Sequence, residues 1–129
     1  MTIDIAAARR NLQARAERER SKREARRAAA ERAVTEAVQG VAAGFPTVTR
    51  VFLFGSVIRD NAFRADSDVD VAVEGLGVAD YFPIWRAIEE AAPDWLIDVR
   101  DITQSSAFAD RVRATGKLIY ERSNSTAQS

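Results

Sequence analysis

The sequence predicts an α+β (α/β) domain in which a small mixed β-sheet carries helices mainly on one face, preceded by one long N-terminal helix. Three observations point there. From about Ile3 to Ala43 the chain is rich in Ala, Arg and Glu, with no Pro and no Gly before Gly40, a composition that favours helix. Beyond it, short β-branched and aromatic runs alternate with amphipathic stretches. With 129 residues, there is room for one hydrophobic core and little else.

Each element has its own signal. The N-terminal helix would reach roughly 60 Å if continuous, at 1.5 Å per residue. After Leu12 its next large apolar residue is Val34, so the first two-thirds cannot bury a hydrophobic face. That part is expected to project into solvent or lie against a partner. Val34, Ala37, Val38 and Val41 repeat at helical spacing and are expected to pack on the sheet. Gly44-Phe45-Pro46 stops the helix. Val48–Phe54 reads as a first, central strand, and Ser56–Asp60 as the start of a short helix capped by Ser56. Asp68–Glu74 reads as the second strand. A loop at Gly75 and Gly77 leads to a helix over Tyr81–Ala91, with Phe82, Trp85 and Ile88 on one side and Pro93 closing it. Trp95–Arg100 reads as a short, antiparallel-compatible third strand, with Trp85 and Trp95 assigned to the core. Phe108–Ala114 is a short helix and Leu118–Tyr120 a last strand or partner-facing segment. The division expected is residues 1–43 as helix, 44–122 as the domain and 123–129 as a disordered polar tail.

Composition narrows the chemistry. The chain has no Cys and no His, which removes disulfides, thiolate nucleophiles, the usual zinc sites and any His base. What remains is carboxylates, hydroxyls, Arg/Lys and bound ions. Charge is uneven: residues 1–40 hold ten Lys+Arg against six Asp+Glu, and the remainder nine against thirteen. No apolar run approaches the roughly 18 residues of a membrane span, and the start is too polar for a signal peptide. A cytoplasmic location without membrane attachment is expected. The Arg clusters of the N-terminal helix are interleaved with Glu17, Glu19 and Glu24 and with no aromatic residue, so direct nucleic-acid binding is not favoured.

The most informative stretch is Phe52–Val73, FLFGSVIRDNAFRADSDVDVAV. Side chains alternate across a strand, so Asp68 and Asp70 share one face while Val69, Val71 and Val73 cover the other. Neighbouring carboxylates repel unless a cation sits between them, and a hard divalent ion suits an all-oxygen set. Asp98, mid-strand in Leu96-Ile97-Asp98-Val99, supplies a third carboxylate, with Asp94 and Asp101 close enough in sequence to compete for that role. Gly55 lets the backbone approach a phosphate closely, Ser56 adds a hydroxyl, and Arg59 stands one turn on, placed to hold phosphate oxygens.

Gly55-Ser56, eleven further residues and then Asp68-Val69-Asp70-Val71 resembles the signature of the DNA polymerase β-like nucleotidyltransferase superfamily. In size and wording it is similar to the minimal nucleotidyltransferase (MNT) branch. The resemblance covers about Val48 to Glu121. It implies that Asp68 and Asp70 bind metal, two Mg²⁺ ions in all, with Asp98 as third ligand and base. It also implies that Gly55 and Ser56 hold the triphosphate of ATP. Many MNT proteins are antitoxins of HEPN-type toxins, in type VII-like pairs, and some transfer AMP to a tyrosine of the toxin. The resemblance therefore implies such a partner and such an acceptor. Two other readings stand beside it: an antitoxin that acts by binding alone, and a small-molecule nucleotidyltransferase. The chain departs from the family where Arg59 is followed by Asp60 rather than Gly, and in its long N-terminal helix.

Overall fold

The computed structural model describes residues 4–123; of the polar tail expected over 123–129, all but Ser123 lies outside the described residues. Helix α1 spans Ile5–Ala42, 38 residues long. Its first turn is capped by Asp4, whose side chain accepts from the Ala7 N–H at 2.9 Å, satisfying one of the orphan donors of a helix start. The first twenty or so residues of α1 are largely exposed, whereas Ala30, Val34, Ala37, Val38 and Ala42 are buried. The apolar spacing thus decides where the helix docks.

Four strands follow: β1 Arg50–Phe54, β2 Val69–Glu74, β3 Ile97–Asp101 and β4 Lys117–Glu121. They form one sheet in the order β3-β2-β1-β4. β1 is antiparallel to both β2 and β4, and β2 is parallel to β3. Helices α2 (Tyr81–Ala91) and α3 (Ala107–Thr115) complete the fold. The third strand is thus parallel to the second, not antiparallel. A strand can return in the same direction only over a crossover, and α2 is that crossover.

The sheet separates two apolar layers. On one face Val51, Leu53, Val69, Val71 and Val73 pack with α1 and with Ile84 and Ile88 of α2. On the other, Phe52, Ala72 and Ile102 meet Ala109 and Val112 of α3. Two helices therefore share one face and the small third helix covers part of the opposite one. On α2 the buried positions are Ile84 and Ile88, while Phe82 is 70% exposed. The helical stripe runs through 81, 84, 85 and 88, which puts Phe82 outside it. Trp85 donates its indole N–H to the Ile97 carbonyl at 3.1 Å, and Trp95 packs half-buried against Phe63. Among the described residues no helix is long and apolar enough to cross a membrane.

Candidate active site

Antiparallel pairing brings the end of β1 beside the beginning of β2, with Phe54 opposite Asp70. Parallel pairing sets Asp98 opposite Asp70 on the other side. Because Val69, Val71 and Val73 are committed to the α1–α2 face, Asp70 and Asp98 emerge on the face that α3 leaves partly open. Asp68 precedes β2 and is exposed at its lip. Asp101 pairs with Val73 at the far end of β2, and Asp94 stands before β3 begins. Of the three candidates in that segment, Asp98 is the one opposite Asp70.

Gly55 lies directly against this carboxylate. Its φ of +75° is in the left-handed region that favours glycine. A Cβ at Gly55 would collide with Asp70 Oδ2 and stand 3.2 Å from Cγ. The glycine is required twice over, by backbone conformation and by close approach. It opens a 3₁₀ turn over Gly55–Ile58, closed by the Arg59 N–H donating to the Ser56 carbonyl at 3.1 Å. The expectation that Ser56 caps a helix is not met. The turn starts one residue earlier, no side chain caps it, and Ser56 lies within it. Four residues also sum to too little aligned dipole to act as a helix N-terminus.

The turn is braced from α1. Arg27 Nη1 donates to the Val57 carbonyl at 2.8 Å, while its Nε and Nη2 hold both Glu24 carboxylate oxygens at 2.9 and 2.7 Å. Glu31 stands 3.4 Å away on its other side. A bidentate ion pair fixes the guanidinium plane, so the helix sets the position of the residues that follow Gly55-Ser56. Val57 itself is fully buried.

Electrostatically the site is short of positive charge. Burial pushes the Asp70 carboxyl up to about 6, assisted by the charges of Asp98 and Asp68, with Arg100 and Arg59 opposing. Arg100 Nε lies 3.3 Å from Asp98 Oδ2 and draws that side chain along β3. Among the described residues, no three acidic side chains are already gathered into a metal-binding group. Arg100 takes up part of the Asp98 charge. The donor set nonetheless suits a hard ion: every donor is a carboxylate oxygen, and burial, with the charges of Asp98 and Asp68, holds Asp70 away from its ordinary charged state.

Beside the Gly55 turn, a cleft of about 700 Å³ is lined by Gly55, Arg59, Phe108 and Arg111 among others. Arg59 and Arg111 are both exposed and carry the positive charge a phosphate chain needs. Phe108 packs edge-on against Phe54 at 5.4 Å. A second cleft of about 440 Å³ lies on the other side of Phe108, with Tyr81 and Arg100 in its wall. Sequence reasoning placed Arg59 here but missed Arg111, Phe108, Arg100 and Arg27. A signal existed for two of them: once Ala109 and Val112 are given to the core, Phe108, Arg111 and Thr115 form the adjoining stripe of α3. Arg27 is indistinguishable in sequence from the other arginines of α1.

The sheet end thus combines paired carboxylates, a glycine turn and an arginine-lined cleft. The chain belongs to the polymerase beta nucleotidyltransferase family, whose sequence pattern matches residues 36–125. The fold is similar to that of a chain in the crystal structure of the toxin–antitoxin MntA-HepT, at a TM-score of 0.51 and 19% identity over 71% of this chain and 73% of that one. It is likewise similar to a chain in the crystal structure of a toxin–antitoxin with AMP-PNP, at a TM-score of 0.56 and 20% identity over 73% of this chain and 78% of that one. No curated protein matches the chain in sequence.

Proposed function

We propose that this nucleotidyltransferase is a Mg²⁺-dependent antitoxin that moves AMP from ATP to a tyrosine hydroxyl of a HEPN-type toxin partner. The observation that carries the reading is the contact between Gly55 and Asp70, with Asp98 opposite. It puts a backbone turn suited to phosphate within reach of two carboxylates. The toxin–antitoxin and AMP-PNP structures among the neighbours support a toxin partner and an adenine nucleotide.

In this reading the Gly55-Ser56 turn, held by Arg27, receives the triphosphate, and Arg59 and Arg111 balance the charge of the departing pyrophosphate. Asp68, Asp70 and Asp98 would hold magnesium, which when bound supplies charge neutralisation and Lewis-acid polarisation of the phosphoryl group. Asp98 accepts the proton of the tyrosine hydroxyl. The phenolic oxygen bonds to the α-phosphorus, the bond to the bridging oxygen breaks, and pyrophosphate leaves. Small-molecule transfer is the weaker reading, because both clefts are open and neither is enclosed enough to hold a small acceptor alone.

The test is incubation of the protein with labelled ATP, Mg²⁺ and the protein encoded beside its gene, followed by mass spectrometry of tyrosine peptides. Label on a partner tyrosine, lost in Asp68→Ala/Asp70→Ala, is the expected result. Equal labelling by that variant would sink the catalytic assignment.

A further inference from the structure

Helix α1 runs opposite to β1. Its C-terminal end is tied near the start of β1, where Arg122 donates to both the Ala42 and Val48 carbonyls, and Arg27 meets Val57 just past the end of β1. The residues before Arg26 therefore overhang the end of the sheet that carries Gly55, Asp70 and Asp98. Arg26 donates to the Ala65 carbonyl at 3.1 Å and lies over the Trp95 ring at 4.9 Å. It sits beside the two segments that lead into Asp68 and Asp98. Residues 5–25 extend about 30 Å at 1.5 Å per residue. From Arg20 onward the helix faces the body across a shallow cleft lined by Asp60 and Asn61.

This overhang has a defined inner side. Leu12 lies about five turns before Ala30, and Ile5 about ten before Val41, at 3.6 residues per turn. Both therefore continue the line that packs on the core. They are 63% and 65% exposed, large apolar groups held out beyond the body. Around them, residues 5–25 carry seven Lys/Arg against three Glu, and among the described residues Arg9, Arg10, Arg15 and Arg18 form no ion pair.

We infer that residues 5–25 are the docking arm for the acceptor, and that the acceptor is a folded protein presenting an apolar spot within an acidic face. This rests on the proposed transfer reaction at the sheet end and adds the surface that holds its protein acceptor. A macromolecule seated against the arm lies beside the carboxylates, whereas a small molecule gains nothing from a 30 Å extension. A protein fits better than RNA for three reasons. Ile5 and Leu12 offer apolar contact, Glu17, Glu19 and Glu24 oppose phosphate, and the arm has no aromatic side chain on which a base could stack.

The experiment measures binding of the full chain to the protein encoded beside its gene, by titration calorimetry without nucleotide, with a short single-stranded RNA as the second probe. Ile5→Asp/Leu12→Asp should weaken partner binding at least about tenfold, as truncation of an interface anchor does. Arg9→Glu/Arg10→Glu should weaken it and flatten its salt dependence. Circular dichroism verifies that both arm variants stay folded. Unchanged affinity in both arm variants, no binding by wild type, or tighter binding to the RNA would overturn the proposal. Loss of binding in the arm variants with no transfer by wild type would leave the docking arm standing and remove the transfer reaction instead.

Discussion

Replacing Asp70 by Asn should stabilise the protein while ending its activity, and the magnitude follows from the site. The carboxyl is raised from its usual 3.8 to about 6, which at about 1.4 kcal/mol per tenfold corresponds to roughly 3 kcal/mol against the charged form. Asp70 is only half-buried, and screening by water reduces this to about 1 kcal/mol. The sign is set by linkage. The folded pKa lies above the unfolded one, so the folded state binds the proton more tightly. The penalty is absent below pH 4 and complete above pH 6. Asp70→Asn should therefore match wild type at pH 3.5 and exceed it by about 1 kcal/mol at pH 8, or about 3–5 °C in melting temperature for a domain of this size. Urea unfolding followed by circular dichroism across that range is the assay. A variant less stable than wild type at pH 8, or a difference independent of pH, would refute the argument that burial beside uncompensated negative charge opposes ionisation of Asp70.

Other consequences follow from neighbouring contacts. Millimolar Mg²⁺ at pH 8 should raise the melting temperature of wild type and leave that of Asp70→Asn nearly unmoved; an equal rise in both would place the ion elsewhere. Gly55→Ala should cost about 1–3 kcal/mol, since it combines a positive φ with a collision against Asp70, and it should abolish transfer in a pulse-labelling assay. Arg27→Met should raise KM for the nucleotide about tenfold with little change in kcat. Arg122→Met, which frees carbonyls at the opposite end of the sheet, should lower stability without that KM effect; comparable KM values for the two would reduce Arg27 to a structural role. Glu74, drawn down to about 2 chiefly by the hydrogen bond from Arg50, contributes stability that is present above about pH 4.5 and lost as pH falls toward 2. Glu74→Gln should be less stable than wild type at pH 7 by about 1 kcal/mol, with the gap closing in acid.

How much of this was legible in the sequence depended on whether a feature was local. Tyr81–Ala91 is helix to the residue, because an amphipathic run ends before Pro93. The alternation of Asp68-Val69-Asp70-Val71 with Val73 correctly divided β2 between core and open face, since the period of a strand is a local property. The direction of β3 was not local: it depends on whether the chain between β2 and β3 turns back or crosses over. Ser56 was misread because a cap and a 3₁₀ turn require similar residues, and the deciding element, Gly55 at positive φ, is a backbone state. Arg27, Arg100 and Arg111 became visible only through tertiary approach, to Val57, Asp98 and the Gly55 cleft respectively.

The central claim is that the sheet end built from Gly55, Asp70 and Asp98 transfers the nucleotidyl group itself. The most direct measurement is parallel incubation with ATP labelled at the α- or the γ-phosphate. Protein-bound label from the α position alone, absent in Asp70→Asn, is the predicted result. Label retained from the γ position, or undiminished labelling by Asp70→Asn, would contradict it.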